Sequence, residues 1–297
     1  MKAWMIYRKE DAVKNQHYIQ FHVDEGKERG IEFEILYTEQ LSYGIHNQKP
    51  MLWYQGNELE RPDFVIMRTI DPLLSLQLEA MELPVFNNAK VAAICNDKAR
   101  TYQYVSQLGI PMIETRFCKN HQLEACINSC EPGGSYVFKA VAGHGGSQVF
   151  LYEKGQPNEI LQYQDIKKGL KGSDFVMQPL TGSKHQDLRV YVIGKRIISA
   201  VLRTANSGFK SNFSLGGDVC EYQLSKEQVD LVNRIIGMFD FGLVGIDFLI
   251  GDDGGLIFNE IEDVVGARML YKVSNVNLVG EYLDFICEKI LKKERID

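Results

Sequence analysis

Three carboxylates near the C-terminal end of the chain are spaced so that a β-hairpin would bring them together. Residues 243–250 and 256–262 both read as strands, and an Asp-Gly dipeptide between them favours a two-residue turn. In that register Asp247 lies opposite Glu260, and the pleat places Glu262 on the same face as Glu260. The three side chains are therefore predicted to form a cluster of hard oxygen donors.

Such a cluster needs a positive partner, because like charges opposite each other destabilise a sheet and unpaired buried carboxylates cost more still. Mg²⁺ suits this role, since it takes oxygen ligands and is commonly held by a few carboxylates together with substrate phosphates. The alternative is a solvated hairpin with scattered acids, which the apolar run around Asp247 disfavours. If no metal is bound, removing one carboxylate is expected to relieve repulsion and raise stability.

Two lysines and a glycine-rich loop upstream have the pattern of an anion site. Lys139 lies in the buried-looking strand 136–141, and Lys98 falls in the first turn of a helix, where the helix dipole disfavours a cation. A lysine at position 139 must reach a carboxylate, extend to water or meet a bound anion. Lys98 makes sense if it and the helix start face an anion. The segment 142–147 follows the strand directly, and its glycines allow backbone N–H groups to approach phosphate oxygens. The residues concerned are Gly143, Gly145, Gly146 and the adjoining Ser147.

Composition limits the classes of protein that fit. The chain has 297 residues, of which 45% are hydrophobic and 24% charged, which is ordinary for a globular protein of one or two domains. A net charge of −6 argues against a sequence-independent nucleic-acid binder. No apolar run approaches the roughly 20 residues that span a membrane. The 6 cysteines are scattered without a C-x-x-C pair, which favours reduced thiols and a cytoplasmic location.

The order of the predicted elements indicates an α/β (α+β) fold in three parts. Residues 1–92 alternate short apolar strands with helical patterns, which predicts a small α/β domain with a largely parallel sheet. Residues 93–180 contain the glycine-rich loop, and residues 181–297 contain the acidic hairpin. We expect the site to form where the second and third parts meet.

In this order the motifs resemble those of the ATP-grasp fold, and most closely its RimK-like branch of carboxylate–amine ligases. The resemblance covers residues 96–266, more than half of the chain, and residues 1–92 resemble the N-terminal domain that precedes the ATP-grasp domain more loosely. Two positions depart from the family pattern. Glu262 stands where the family usually has Asn, which adds one negative charge, and Val265 stands where the family usually has Pro.

The resemblance implies a role for individual residues. The implied ATP-binding residues are Lys98, Lys139, Gly143, Gly145, Gly146, Ser147, Gln178, Pro179, Leu180, Asp187, Lys210, Ser211 and Asn212. Arg189 and Arg203 are implied to be catalytic, because either could hold the oxyanion of a tetrahedral intermediate. Asp247, Glu260 and Glu262 fall on the metal ligands of the family, for two Mg²⁺ or Mn²⁺ ions.

The implied reaction is ATP-dependent formation of an amide or peptide bond through an acylphosphate, with release of ADP and phosphate. The substrates would be a carboxylate and an amine, drawn from amino acids, peptides or protein tails, and neither a nucleic acid nor a membrane is expected as a partner. The sequence is compatible with a homo-oligomer and does not fix the oligomeric state. The alternatives are a phosphotransferase on the same fold and a non-catalytic nucleotide-binding module. The second is disfavoured because the metal ligands and both lysines are present.

Overall fold

The structure is a computed structural model of the chain. It describes residues 1–146, 148–182, 186–204 and 218–294. Four of the predicted site residues, Ser147, Lys210, Ser211 and Asn212, lie outside the described residues. Within the described ranges, no helix is long and apolar enough to cross a membrane.

The N-terminal part contains a four-stranded sheet in which every pair of neighbouring strands is parallel. Its strands are β1 (Lys2–Tyr7), β2 (Glu32–Tyr37), β6 (Phe64–Met67) and β7 (Val85–Phe86), in the order β2-β1-β6-β7. A small antiparallel sheet is formed by β3 (Leu41–His46), β4 (Lys49–Tyr54) and β5 (Asn57–Glu58). The helices are α1 (Lys9–Lys14), α2 (Gln16–Glu28), α3 (Pro72–Ala80) and α4 (Ala89–Cys95). The predicted parallel sheet is confirmed.

The middle part is built on a four-stranded antiparallel sheet. Its strands are β8 (Arg116–Cys118), β9 (Ser135–Ala140), β10 (Val149–Glu153) and β11 (Phe175–Pro179), in the order β10-β9-β11-β8. Its helices are α5 (Lys98–Ser106), α6 (Leu123–Asn128) and α7 (Glu159–Leu170). Alternate residues of β9 point to opposite faces, so Phe138 packs in the core with Phe175 while Val137 and Lys139 face away from it.

The C-terminal part is built on a five-stranded antiparallel sheet. Its strands are β12 (Gln186–Ile193), β13 (Arg196–Thr204), β14 (Asp218–Glu221), β15 (Leu243–Ile250) and β16 (Leu256–Glu262), in the order β14-β13-β12-β15-β16. Its helices are α8 (Lys226–Met238), α9 (Arg268–Val273) and α10 (Leu278–Glu294). Both faces are covered, because Val190 packs in one hydrophobic cluster and Tyr191, the next residue, packs in another. Four charged side chains on its central strands, Asp187, Arg189, Arg203 and Asp247, are buried as a result.

The β15–β16 hairpin pairs Asp247 with Glu260, as the sequence predicts, but it reaches that register by another route. The connection is a three-residue loop, 252–254, in which Gly254 has a left-handed φ of +83°. This loop shifts the pairing by one residue, and Asn259 then acts as a β-bulge that shifts it back before Asp247. The predicted two-residue turn is wrong, whereas the predicted pairing of the two carboxylates is confirmed.

Candidate active site

A cleft lies between the sheet of the middle part and the sheet of the C-terminal part. Its volume is about 840 Å³, which includes the solvent-open entrance. Its apolar lining comes from Ile113, Val137, Val149, Leu180 and Leu249. Its polar lining comes from Lys98, Lys139, Gln178, Thr181, Gln186, Asp187, Asn259 and Glu260, together with Pro179 and the glycines at 143, 145 and 146. A ligand with a flat apolar part and an anionic part suits this combination.

The cleft gathers most of the residues that the sequence singled out. Nine of the implied ATP-binding residues and Glu260 line it, while Arg189, Arg203, Asp247 and Glu262 lie beside it and complete an ionic network. The sequence interpretation missed Asn259, because its position depends on the β-bulge. Val137 was also missed, although its alternation with Lys139 along β9 is a usable signal.

Asp247, Glu260 and Glu262 each offer a carboxylate oxygen, and these oxygens lie within 4.8 Å of one another. The Asp247 side chain is 2% exposed, whereas the Glu260 and Glu262 side chains are each 30% exposed. In the described part of the chain, no other group of histidine, cysteine or acidic side chains comes together in this way. A donor set made only of carboxylate oxygens fits Mg²⁺ or Mn²⁺.

Two arginines bind Asp247 from neighbouring strands. Arg189 lies directly opposite Asp247 and donates to both oxygens, with Nε–Oδ1 at 2.7 Å and Nη2–Oδ2 at 2.6 Å. Arg203 donates from Nη2 to Oδ2 at 2.8 Å. Burial alone would raise the pKa of Asp247, but Arg189 and Arg203 outweigh it and hold the pKa at about 2. A carboxylate has about four lone-pair positions, so one on Oδ1 stays available to a cation.

The same arginines also bind the neighbouring acids. Arg203 lies opposite Asp187 and contacts both of its oxygens, one of them from Nη2 at 2.6 Å. Arg189 Nη1 lies 2.7 Å from a Glu262 oxygen. Burial nevertheless raises the pKa of Glu262, with nearby Asp247 and Glu260 acting in the same direction. The extra acid at position 262 therefore has a partner within the chain.

Lys98 is positioned by the start of its helix. Asp97 caps α5 by accepting a hydrogen bond from the Arg100 N–H at 3.0 Å, and the Lys98 N–H donates to the Val141 carbonyl at 3.0 Å. The Lys98 ammonium then reaches the carbonyl of Gly143 at 2.5 Å and a Glu260 oxygen at 3.2 Å. It thus joins the glycine-rich loop to the acidic hairpin.

Lys139 contacts the hairpin through an amide. Its Nζ donates to Asn259 Oδ1 at 2.9 Å. Burial lowers the pKa of Lys139 to about 8, against an opposing contribution from the charge of Glu260. The sequence leaves three ways to accommodate this lysine, namely a carboxylate, water or a bound anion. The structure adds the Asn259 amide oxygen, a neutral partner, and no acid of the described ranges forms an ion pair with this ammonium group.

The end of β11 presents backbone groups to the cleft. The Leu180 N–H donates to the Ser135 carbonyl at 2.9 Å, so the alternation of an antiparallel ladder turns the Pro179 carbonyl away from β9. The Thr181 hydroxyl donates to that carbonyl at 3.1 Å. The Gln178 side chain donates to Tyr102 Oη at 2.8 Å and fixes this strand to α5.

The N-terminal part holds the loop that follows the acidic hairpin. Arg68, just after β6, donates from Nη2 to the Val265 carbonyl at 3.1 Å. Asn87 donates from Nδ2 to the Asp263 carbonyl at 3.0 Å. Both side chains are buried. Two side chains of the N-terminal part thus hold the loop after β16, in which Val265 stands at the position where the sequence resemblance led us to expect proline.

A cleft between two antiparallel sheets that is lined by two lysines, glycine backbone groups and carboxylates suits a polyanionic ligand. Residues 95–286 match the model of the RimK-like ATP-grasp domain, which is more than half of the chain. The chain belongs to this family. The predicted fold class is thereby confirmed, and so is the predicted activity of an ATP-dependent enzyme that forms an amide bond.

Individual relatives agree with this membership. A probable alpha-L-glutamate ligase of Vibrio parahaemolyticus is 27% identical over 268 residues, which are 88% of each chain. The RimK domain ATP-grasp protein of Sphaerobacter thermophilus has the same fold, with a TM-score of 0.70 at 16% identity over 97% of this chain and 100% of that one. The ATP-grasp ligase PsnB, solved with a phosphomimetic variant of its minimal precursor, Mg and ADP, has a TM-score of 0.66 at 17% identity over 96% and 97% of the two chains.

Proposed function

We propose that the protein activates a carboxylate as an acylphosphate and transfers the acyl group to an amine. One observation carries this proposal: Lys98, Lys139 and Glu260 converge on the cleft beside the glycine-rich loop. Two cations and a metal-binding carboxylate at one place suit the terminal phosphates of ATP better than any other part of the nucleotide. Attack of the substrate carboxylate on the γ-phosphate would release ADP, and attack of the amine on the acylphosphate would release phosphate.

The chain supplies charge stabilisation and positioning for this chemistry. Lys98 and Lys139 would bind phosphate oxygens and offset the charge that develops on the transferred phosphoryl group. Asp247, Glu260 and Glu262 would hold two Mg²⁺ ions, which supply Lewis-acid stabilisation when bound. Gly143, Gly145 and Gly146 would close over the phosphates and exclude water, which would otherwise hydrolyse the acylphosphate.

The two arginines have a positioning role in this proposal. Each donates to Asp247, and together they also bind Asp187 and Glu262. They therefore orient the carboxylates that face the phosphates. Arg189 in addition lies next to the last carboxylate of the hairpin, where the amine would approach, and is the better candidate of the two to hold a tetrahedral oxyanion.

We propose that the adenine edge binds at the end of β11. The Pro179 carbonyl is turned towards the open side of the strand and can accept a hydrogen bond from the exocyclic amine of adenine. Val137 and Leu249 would cover the faces of the ring. The Leu180 N–H already donates to the Ser135 carbonyl, so we do not expect it to donate to the adenine ring.

The substrates are proposed to be an amino acid and a second carboxylate, which is free or part of a peptide. The Vibrio relative is named a probable alpha-L-glutamate ligase, so glutamate is the first amine to test. The experiment supplies ATP, Mg²⁺ and pairs from an amino-acid and peptide panel, and measures ADP, phosphate and amide. Equal amounts of the three are expected, and hydroxylamine in place of the amine should give a hydroxamate. AMP would contradict the acylphosphate route, and ADP with a phosphorylated alcohol would indicate a phosphotransferase.

A further inference from the structure

The loop 263–266 follows the acidic hairpin directly and is held by side chains from elsewhere in the fold. Three of its carbonyls accept a hydrogen bond from outside the loop. The donors are Asn87 Nδ2 at 3.0 Å, Arg68 Nη2 at 3.1 Å and Tyr191 Oη at 3.0 Å, and the acceptors are the carbonyls of Asp263, Val265 and Gly266 in the same order. The position of this loop thus depends on three separate segments of the chain.

Arg68 is the one charged side chain among these three donors. It is buried, and no acid of the described ranges forms an ion pair with it. Its Nε donates to Tyr7 Oη at 3.3 Å, and its Cζ lies 5.0 Å from the centre of the Tyr18 ring. Burial of a cation without a counter-charge is costly, and an apolar side chain of similar volume often stabilises a fold as well or better. Stability alone therefore does not account for an arginine at this position.

Val265 connects the bond from Arg68 to the acidic hairpin. The Val265 side chain is fully buried. A Cβ built on Gly245 would lie 2.8 Å from Val265 Cγ2 and 3.2 Å from Arg189 Cδ, so both of these side chains pack closely against Gly245. Close-packed interiors transmit displacements. A shift of the loop 263–266 is therefore expected to change the position of Arg189.

We infer that Arg68 is a positioning residue for the transfer of the acyl group to the amine. It fixes the loop 263–266, and this loop supports Arg189 on the side where the amine approaches. The inference rests on the proposed function, in which Arg189 is the candidate to hold the tetrahedral oxyanion. Arg68 itself contacts neither the nucleotide nor the reacting atoms in this proposal.

The step concerned has two possible nucleophiles. The amine nitrogen attacks the acyl carbon, the bond from this carbon to the phosphate oxygen breaks, and the nitrogen loses a proton to solvent, which gives amide and phosphate. Water that attacks the same carbon gives back the free carboxylate and phosphate. ADP is released on both routes. The amount of amide formed per ADP therefore measures how well the amine and the oxyanion are positioned.

The yield of amide per ADP tests the inference. The full chain is supplied with ATP, Mg²⁺ and the carboxylate and amine that are active with the wild type. Arg68→Met keeps an apolar side chain of similar length but donates nothing to the Val265 carbonyl, and its amide per ADP should fall roughly tenfold, since a misplacement of about 1 Å can cost about 10²-fold in rate. Its KM for ATP should stay within about twofold of the wild type, because Arg68 is not among the described residues that line the cleft.

Two further measurements separate positioning from a loss of stability. Hydroxylamine at high concentration is a small nucleophile that needs little positioning, so hydroxamate per ADP should be the same in Arg68→Met and the wild type. Arg29→Met is the matched control, because Arg29 joins the N-terminal part to α10 and both of its acid partners, Glu25 and Asp284, lie outside the loop. This control should lower the thermal unfolding midpoint and leave amide per ADP unchanged.

Two milder variants cover the case in which Arg68→Met does not fold. Arg68→Lys keeps the charge but has one ammonium group in place of the guanidinium fork, so its amide per ADP should lie between those of the wild type and Arg68→Met. Tyr191→Phe keeps the ring, loses the bond to the Gly266 carbonyl and should lower amide per ADP in the same direction.

Wild-type amide per ADP in Arg68→Met overturns the inference, as does an equal fall in Arg29→Met. If Arg68→Met does not fold, wild-type yields in Arg68→Lys and Tyr191→Phe overturn it. Absence of amide from the wild-type protein would instead contradict the proposed function.

Discussion

Lys139 Nζ donates to Asn259 Oδ1 at 2.9 Å, across the cleft between β9 and β16. This bond joins the middle part of the chain to the acidic hairpin through the one residue that the β-bulge adds. Because this partner is an amide, the hydrogen bond brings no counter-charge to the ammonium group. Burial then lowers the pKa of Lys139 to about 8.

This pKa predicts how nucleotide binding depends on pH. Lys139 carries its charge below about pH 8 and loses it as the pH rises through that value, so the KM for ATP should increase above pH 8. Lys139→Arg stays charged over this range and is the matched control, because its KM should not show the step. A wild-type KM that is constant from pH 7 to about 9.5 would contradict this role.

The same group predicts a change in stability with pH. The unfolded chain keeps this lysine protonated up to its usual pKa of 10.5, so between about pH 8 and 10.5 the unfolded state binds more protons than the folded state. The contribution of Lys139 to the free energy of unfolding should therefore rise with pH across this window. Urea unfolding of the wild type and of Lys139→Met at several pH values measures the difference between their free energies of unfolding. If the lysine is not buried, this difference should not change with pH between about 8 and 10.5.

Asp247 and Glu260 should differ in their effect on stability. Asp247→Asn removes the counter-charge that Arg189 and Arg203 share, although Arg189 keeps Glu262 and Arg203 keeps Asp187. Loss of one partner of a buried ion pair costs up to about 3–5 kcal/mol, so a cost near the lower end is expected. The sequence suggested the opposite, because it did not show that Arg189 and Arg203 contact this acid. Glu260→Gln, with a side chain 30% exposed, should cost about 1 kcal/mol.

Both of these variants should nevertheless lose Mg²⁺-dependent turnover. Thermal unfolding separates the two effects, and the measurements of turnover are made well below each midpoint. Near-normal ADP release by the folded Glu260→Gln variant would contradict its assignment as a metal ligand. Equal stability of the two variants would contradict the ion-pair network around Asp247.

Glu262→Asn should keep measurable activity. The amide oxygen of asparagine can still bind a cation, and the family usually has asparagine at this position. Arg189 would lose the Nη1 contact of 2.7 Å but keep both bonds to Asp247. The Mg²⁺ concentration for half-maximal rate should change, because the cluster loses one negative charge. If the variant is as inactive as Glu260→Gln, Glu262 acts beyond ligation, for example as a base for the amine.

The glycine-rich loop should control the coupling of ATP cleavage to amide formation. Gly145 has a left-handed φ of +63°, a conformation that costs an alanine about 1–2 kcal/mol and an asparagine less. Among the described residues, no atom beyond the adjoining residues lies within 4 Å of a Cβ added at Gly145, so the variant tests backbone strain and not a clash. Gly145→Ala should release more ADP than amide, because a loop that closes poorly admits water, whereas Gly145→Asn should stay closer to equal yields. Equal yields in Gly145→Ala would indicate a turn without a covering role.

The sequence by itself determined the elements that carry the site. Apolar runs and turn residues predict strands at 243–250 and 256–262, and the structure has both with these bounds. The cap at Asp97 predicts the helix that presents Lys98. These features depend on residues close together in the chain, which is why one sequence suffices to find them. The division of the chain at residues 92 and 180 stays a prediction, and one hydrophobic cluster contains both Met5 and Leu283.

Only the tertiary structure decided how the acidic cluster is neutralised. The three-residue loop sets a register that differs by one residue from the register in which Asp247 pairs with Glu260, and the bulge at Asn259 makes up this difference. The bulge therefore depends on both strands at once. Arg189 meets Asp247 because β12 and β15 become neighbours although about 50 residues separate them in the chain. Local patterns carry no information about such contacts. They showed where the acids lie, and the packing of the sheets decided which bases face them.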